Sequence, residues 1–126
     1  MQKIGIISLG LIGGSILKSL SKVNNIELFA YTTNNDTINK AKIYTPNISK
    51  DLNNLKNCDI IFVCSPISKI ESMLKKLNGV VSQNTIVTDV ASVKSIFMND
   101  CYNFIYIGSH PMAGTENTGF DYSNEN

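Results

Sequence analysis

The stretch that most restricts how this chain can fold is Lys3-Ile4-Gly5-Ile6-Ile7-Ser8-Leu9-Gly10-Leu11-Ile12-Gly13-Gly14-Ser15. Ile4, Ile6 and Ile7 form an apolar run rich in β-branched residues, glycines follow, and Ile16, Leu17, Leu20 and Val23 then recur at helical spacing. The pattern predicts a strand, a tight turn and a helix. Such a turn aims free backbone N–H groups and the positive end of a helix at one spot, which suits the pyrophosphate of a dinucleotide. Gly10, Leu11, Ile12 and Gly13 are therefore the candidate cofactor-binding residues of the turn. The G-x-G-x-x-G pattern has Ser8 in its first position, so it reads Ser8-x-Gly10-x-x-Gly13. Glycine reaches positive φ without strain, and serine does not. An ordinary glycine-rich turn would use the same residues, so the rest of the chain has to decide.

With 126 residues the chain matches one domain, able to bury a core and too short for two. A formal net charge of +1 and the absence of long charge runs give no electrostatic reason to expect nucleic acid or an anionic membrane, and a small metabolite fits better. The apolar runs fall short of a membrane span, and the N-terminal one is broken by Gly and Ser, unlike a signal peptide. A cytoplasmic protein is expected. Cys58, Cys64 and Cys101 are odd in number and lack metal-ligand spacing, so they read as free thiols in a reducing compartment, with no metal site.

Along the chain, Asn24-Asn25 stops the first helix and Ile26 to Tyr31 reads as a second strand. At the end of that strand a dinucleotide fold usually carries an acid that holds the ribose hydroxyls of NAD; here the position is Thr32. No Arg follows to clamp a 2′-phosphate, and the choice between NAD and NADP stays open. Asp36 to Ile43 is a short helix candidate, Ile48 a brief strand, and Leu52 and Leu55 mark a short helix before the strand Asp59 to Cys64. Ser65-Pro66 reads as a helix start, Ser capping and Pro in the first helical position, followed by the stripe Ile67, Ile70, Leu74 and Leu77. A strand over Thr85 to Thr88 ends at Asp89, Ser92 to Phe97 opens a helix, and Phe104 to Ile107 is the last strand. This alternation predicts an α/β fold, a doubly wound, mostly parallel sheet with ligands beyond the carboxyl ends of its strands. The turns carrying Gly10, Ser65, Ser92 and His110 are then expected to share one rim.

His110 is the single histidine, and a neutral imidazole with a pKa near ~6.5 can accept the proton released when an alcohol loses hydride. It can also simply bond its own loop. Ser92 is either a helix N-cap or a hydroxyl that orients the alcohol, and Lys94 is either solvated or tied to a carboxylate such as Asp89. Cys64, Ser65 and Pro66 follow a strand expected beside the first one, where they would lie against a bound nicotinamide.

Four blocks in order, Gly10-Leu11-Ile12-Gly13-Gly14-Ser15, Cys64-Ser65-Pro66, Thr88-Asp89-Val90-Ala91-Ser92-Val93-Lys94 and Gly108-Ser109-His110-Pro111-Met112-Ala113-Gly114-Thr115-Glu116, resemble the prephenate and arogenate dehydrogenase family. The resemblance runs from about residue 3 to residue 120. It implies a Rossmann-like NAD(P)-binding domain and the oxidative decarboxylation of prephenate to 4-hydroxyphenylpyruvate, a step of tyrosine biosynthesis, or of arogenate to tyrosine. It also implies that His110 accepts or hydrogen-bonds the ring hydroxyl proton and that Ser92 assists there. Family members continue into further strands and a helical domain that dimerises and supplies cations for the substrate carboxylates. Residues 1–126 are accordingly expected to be the dinucleotide-binding domain, incomplete at its C-terminal end, with the helical domain absent and a homodimer expected only for a longer form. The other readings are a non-catalytic dinucleotide-binding module and a related acid or imine reductase, against which the His-Pro-Met-Ala-Gly block argues.

Overall fold

The structure is a computed structural model and describes residues 1–89 and 103–108. The apolar run near the N-terminus is β1 (Gln2–Ile7), and it lies inside a six-stranded sheet. The other strands are β2 (Ile26–Tyr31), β3 (Ile48–Ser49), β4 (Ile60–Val63), β5 (Ile86–Asp89) and β6 (Ile105–Gly108). Their order is β3-β2-β1-β4-β5-β6, and every neighbouring pair is parallel. Helices α1 (Leu11–Leu20), α2 (Asn35–Ala41) and α3 (Ile67–Leu77), with a 3-10 turn over Leu52–Leu55, make the described crossovers.

Alternation along the strands divides the core in two. Ile4 and Ile6 of β1 join Leu28 and Ala30 of β2 under Leu17 of α1 and Ala41 of α2. On the other face Ile7, Ile61, Val63 and Val87 meet Leu55 of the 3-10 turn and Ile70, Met73, Leu74 and Leu77 of α3. Burial of a side chain of this size stabilises the fold by ~1.5–3 kcal/mol relative to leaving it in water, so helices covering both faces are what hold a parallel sheet. Polar groups inside are matched: the Thr45 hydroxyl donates to the Leu28 carbonyl at 2.7 Å and that of Thr85 to the Cys58 carbonyl at 3.0 Å.

The sequence expectation of a doubly wound α/β sheet is met, with local corrections. The first helix ends at Leu20, and Val23 lies beyond it with 49% of its surface exposed, because Asn25 turns the chain at φ 66° into β2. The second helix starts one residue early, at Asn35, because the Asn34 side chain accepts the Thr37 N–H and caps it. At α3 the expected serine cap does not form: Pro66 is the N-cap residue with no side-chain hydrogen bond, and Ser65 is used elsewhere. Of the predicted α3 stripe, Ile70, Leu74 and Leu77 are buried, whereas Ile67 at its start is exposed.

Candidate functional site

β1 and β4 are neighbours in the sheet although β2 and β3 lie between them in sequence, so the chain reverses its winding direction there. Ligands of open parallel sheets occupy the crevice beyond the carboxyl ends of two such strands. The turn after β1 holds the glycines and the turn after β4 holds Cys64, Ser65 and Pro66.

Each position of the glycine pattern has its own task. Ser8 leaves β1 at φ 70°, the left-handed conformation that glycine tolerates best, and its N–H donates to the Tyr31 carbonyl at 2.9 Å. Gly10 is the N-cap of α1, and a Cβ built on it meets nothing within 4 Å, so the backbone there faces open space. Gly13 is the opposite case: a Cβ there would lie 2.0 Å from the Ser8 carbonyl oxygen and 3.2 Å from the Cys64 Cβ. Tight turn, exposed approach and close helix packing are the three requirements of a dinucleotide-binding turn. The N–H groups of Leu11, Ile12 and Gly13 precede the first bond of the helix ladder, Gly14 N–H to the Gly10 carbonyl at 2.9 Å. No acidic side chain lies in that first turn, which leaves the positive helix end available to an anion.

Across the crevice, Ser65 is buried, and its hydroxyl lies 3.0 Å from that of Ser8. The Cys64 N–H donates to the Ile7 carbonyl at 2.9 Å, fixing the two turns side by side. Burial pushes the Cys64 thiol up to about 12, and the thiol donates weakly to the Phe62 carbonyl at 3.9 Å, so it stays protonated and is no nucleophile. Pro66 is exposed at the mouth of α3. Thr32 is buried just past β2; its N–H donates to the Ser49 carbonyl at 3.2 Å and its hydroxyl accepts from the Asn34 N–H at 3.4 Å.

The structure thus brings Gly10, Leu11, Ile12, Gly13, Thr32, Cys64, Ser65 and Pro66 to the carboxyl rim of neighbouring strands. Ser92, Lys94 and His110 lie outside the described residues. Asp89, at the end of β5, is fully buried, and its carboxylate accepts the Tyr106 hydroxyl from β6. Tyr106 was not singled out by the sequence reading, yet the alternation of Phe104, Ile105, Tyr106 and Ile107 carries the signal for its inward orientation. A shallow cavity of about 380 Å³ lies at the other end of the sheet, between Met1, Ile26, Tyr44 and Asn47. Among the described residues no group of side chains could hold a metal ion.

Strand order and glycine turn together define a Rossmann-like dinucleotide-binding domain. The family model for the nucleotide-binding domain of prephenate dehydrogenase matches residues 19–126, and the chain belongs to that family. The glycine turn precedes the matched span. Cyclohexadienyl dehydrogenase of Zymomonas mobilis subsp. mobilis is 26% identical over 128 residues, covering 95% of this chain and 44% of that protein. The crystal structure of Synechocystis arogenate dehydrogenase superposes with a TM-score of 0.83 at 36% identity, covering 97% of this chain and 45% of that one. Prephenate dehydrogenase from A. aeolicus, in complex with hydroxyphenyl propionate and NAD+, superposes with a TM-score of 0.82 at 29% identity, covering 100% of this chain and 47% of that one. The chain spans less than half the length of these relatives.

Proposed function

We propose that the chain is the cofactor-binding part of an NAD(P)-dependent prephenate dehydrogenase acting in tyrosine biosynthesis. Arogenate is the alternative substrate, since the relatives include enzymes named for each. The observation that carries the reading is the division of labour among Ser8, Gly10 and Gly13 at the switch point, in a chain of this family. Gly10 to Gly13 hold the pyrophosphate, Thr32 lies at the adenosine ribose, and Cys64, Ser65 and Pro66 flank the nicotinamide, which when bound accepts the hydride.

His110 takes the hydroxyl proton of the substrate as hydride leaves the same carbon, and Ser92 orients that hydroxyl. Carbon dioxide then departs, its bonding electrons restore the aromatic ring, and the phenolic oxygen recovers the proton. Much of the driving force belongs to the substrate; the protein positions it and manages one proton. No helix among the described residues is long and apolar enough to cross a membrane, and a cytoplasmic location follows from the metabolic role. A helical domain continuing the chain would complete the substrate site and form the homodimer.

The test is the rise in reduced-nicotinamide absorbance when the protein meets prephenate or arogenate with NAD+ or NADP+, beside a His110→Asn control. Turnover lost in the control with cofactor binding retained supports the assignment. Equal loss of both refutes the role of His110. Cofactor binding without turnover by the parent protein favours the non-catalytic module.

A further inference from the structure

Backbone pairing between β1 and β4 runs to Ile7 opposite Val63, and the Cys64 N–H to Ile7 carbonyl bond, 2.9 Å long, is the last backbone link between the two among the described residues. One residue further on, both chains leave the sheet for their turns. There Ser8 directs its N–H to the other side, onto the Tyr31 carbonyl of β2 at 2.9 Å. Its carbonyl oxygen abuts the first turn of α1, where a Cβ on Gly13 would lie 2.0 Å from it. Both backbone groups of Ser8 thus face β2 and α1. The group that reaches the β4 side is the hydroxyl, 3.0 Å from the hydroxyl of Ser65.

Ser8 keeps a side chain at φ 70°, where glycine is free of strain, and a non-glycine residue held in that region is a pointer to function at the place where it occurs. Ser65 is buried, and among the described residues its hydroxyl is matched by that of Ser8. A buried hydroxyl left without a partner is unfavourable, so the pair holds together. The two residues stand at the mouths of the turns that face each other at the switch point. Ser8 leads through Gly10 into α1, and Ser65 leads through Pro66 into α3. A ligand reaching from one turn to the other spans this bond, whereas a ligand seated on the glycine turn alone touches a single wall. The relative placement of the two walls matters only to the first.

We infer that Ser8 is a positioning residue of the cofactor site: its hydroxyl holds the Ser65 turn at the distance from the glycine turn that a complete nicotinamide dinucleotide requires. The inference rests on the dinucleotide reading above and deepens it, giving the serine in the first position of the glycine pattern a task that glycine cannot perform. Its test is calorimetric titration with NAD+, with NADP+ and with ADP, which carries a diphosphate and no nicotinamide, on the parent, Ser8→Gly, Ser65→Ala and the double variant. Ser8→Gly removes the hydroxyl and the strain together, so folding is kept. Each single variant weakens whichever dinucleotide the parent binds about fivefold, the worth of one hydrogen bond, and leaves ADP affinity unchanged. The double variant weakens it no further, because either change alone already breaks the bridge. ADP weakened as much as the dinucleotide, dinucleotide affinity untouched by Ser8→Gly, or losses that add in the double variant overturn the inference and leave the dinucleotide reading standing. A parent protein that binds neither NAD+ nor NADP+ overturns both.

Discussion

The hydroxyl of Ser8 lies 3.0 Å from the hydroxyl of Ser65, so the turn after β1 and the turn after β4 are joined by a side-chain bond across the crevice. The same Ser8 sits at φ 70°, where a side chain costs ~1–2 kcal/mol. A glycine would relieve that cost and forfeit the bond.

Ser8→Gly is expected to stay within ~1 kcal/mol of the parent in urea unfolding, because relief of strain offsets the lost hydrogen bond and the added freedom of the unfolded chain. Ser8→Ala keeps the strain, loses the bond and falls by ~1 kcal/mol. A glycine variant clearly less stable than the alanine variant would show that strain at Ser8 is negligible.

Gly13 and Gly10 separate packing from ligand approach. Gly13→Ala forces a Cβ to within 2.0 Å of a backbone oxygen and should destabilise the fold by ~3 kcal/mol or more. Gly10→Ala meets open space at φ −79° and should change stability by less than ~1 kcal/mol. Its methyl group would occupy the space the pyrophosphate needs, so dinucleotide affinity should fall about tenfold, or ~1.4 kcal/mol. Equal affinities in the parent and Gly10→Ala would move the ligand away from this turn.

The contrast between these glycines also shows what sequence reading can and cannot reach. Period-2 runs and helical stripes are local properties, so β1, β2, β4 and the buried face of α3 were legible, as was the placement of Gly10, Thr32 and Ser65 on one rim. The partner of the Ser65 hydroxyl was not, because residue type suggests a helix cap, and the pairing with Ser8 requires two turns separated by 57 residues to meet.

The buried thiols give a pH prediction. Burial, reinforced by the Asp59 carboxylate, pushes Cys58 up to about 12 from an ordinary 9.0, and burial alone does the same to Cys64. The folded state therefore holds protons that the unfolded chain releases above about 9, so this stabilisation is complete below pH 9 and is lost as pH rises toward 12. Unfolding free energy should fall across that window by up to ~1.4 kcal/mol per pH unit for each thiol, and Cys58→Ala should flatten the slope. A profile unchanged by Cys58→Ala would contradict the assignment. At neutral pH both thiols should resist a thiol reagent until the chain unfolds.

The measurement that tests the account most directly is the amide spectrum of the isotope-labelled protein during titration with a nicotinamide dinucleotide. Saturable shifts concentrated at Gly10, Leu11, Ile12, Gly13, Thr32 and Ser65 are the predicted result, since these residues line the carboxyl rim. Shifts confined to Tyr44, Thr45 and Asn47 would place the ligand in the cavity at the opposite end of the sheet and contradict the account.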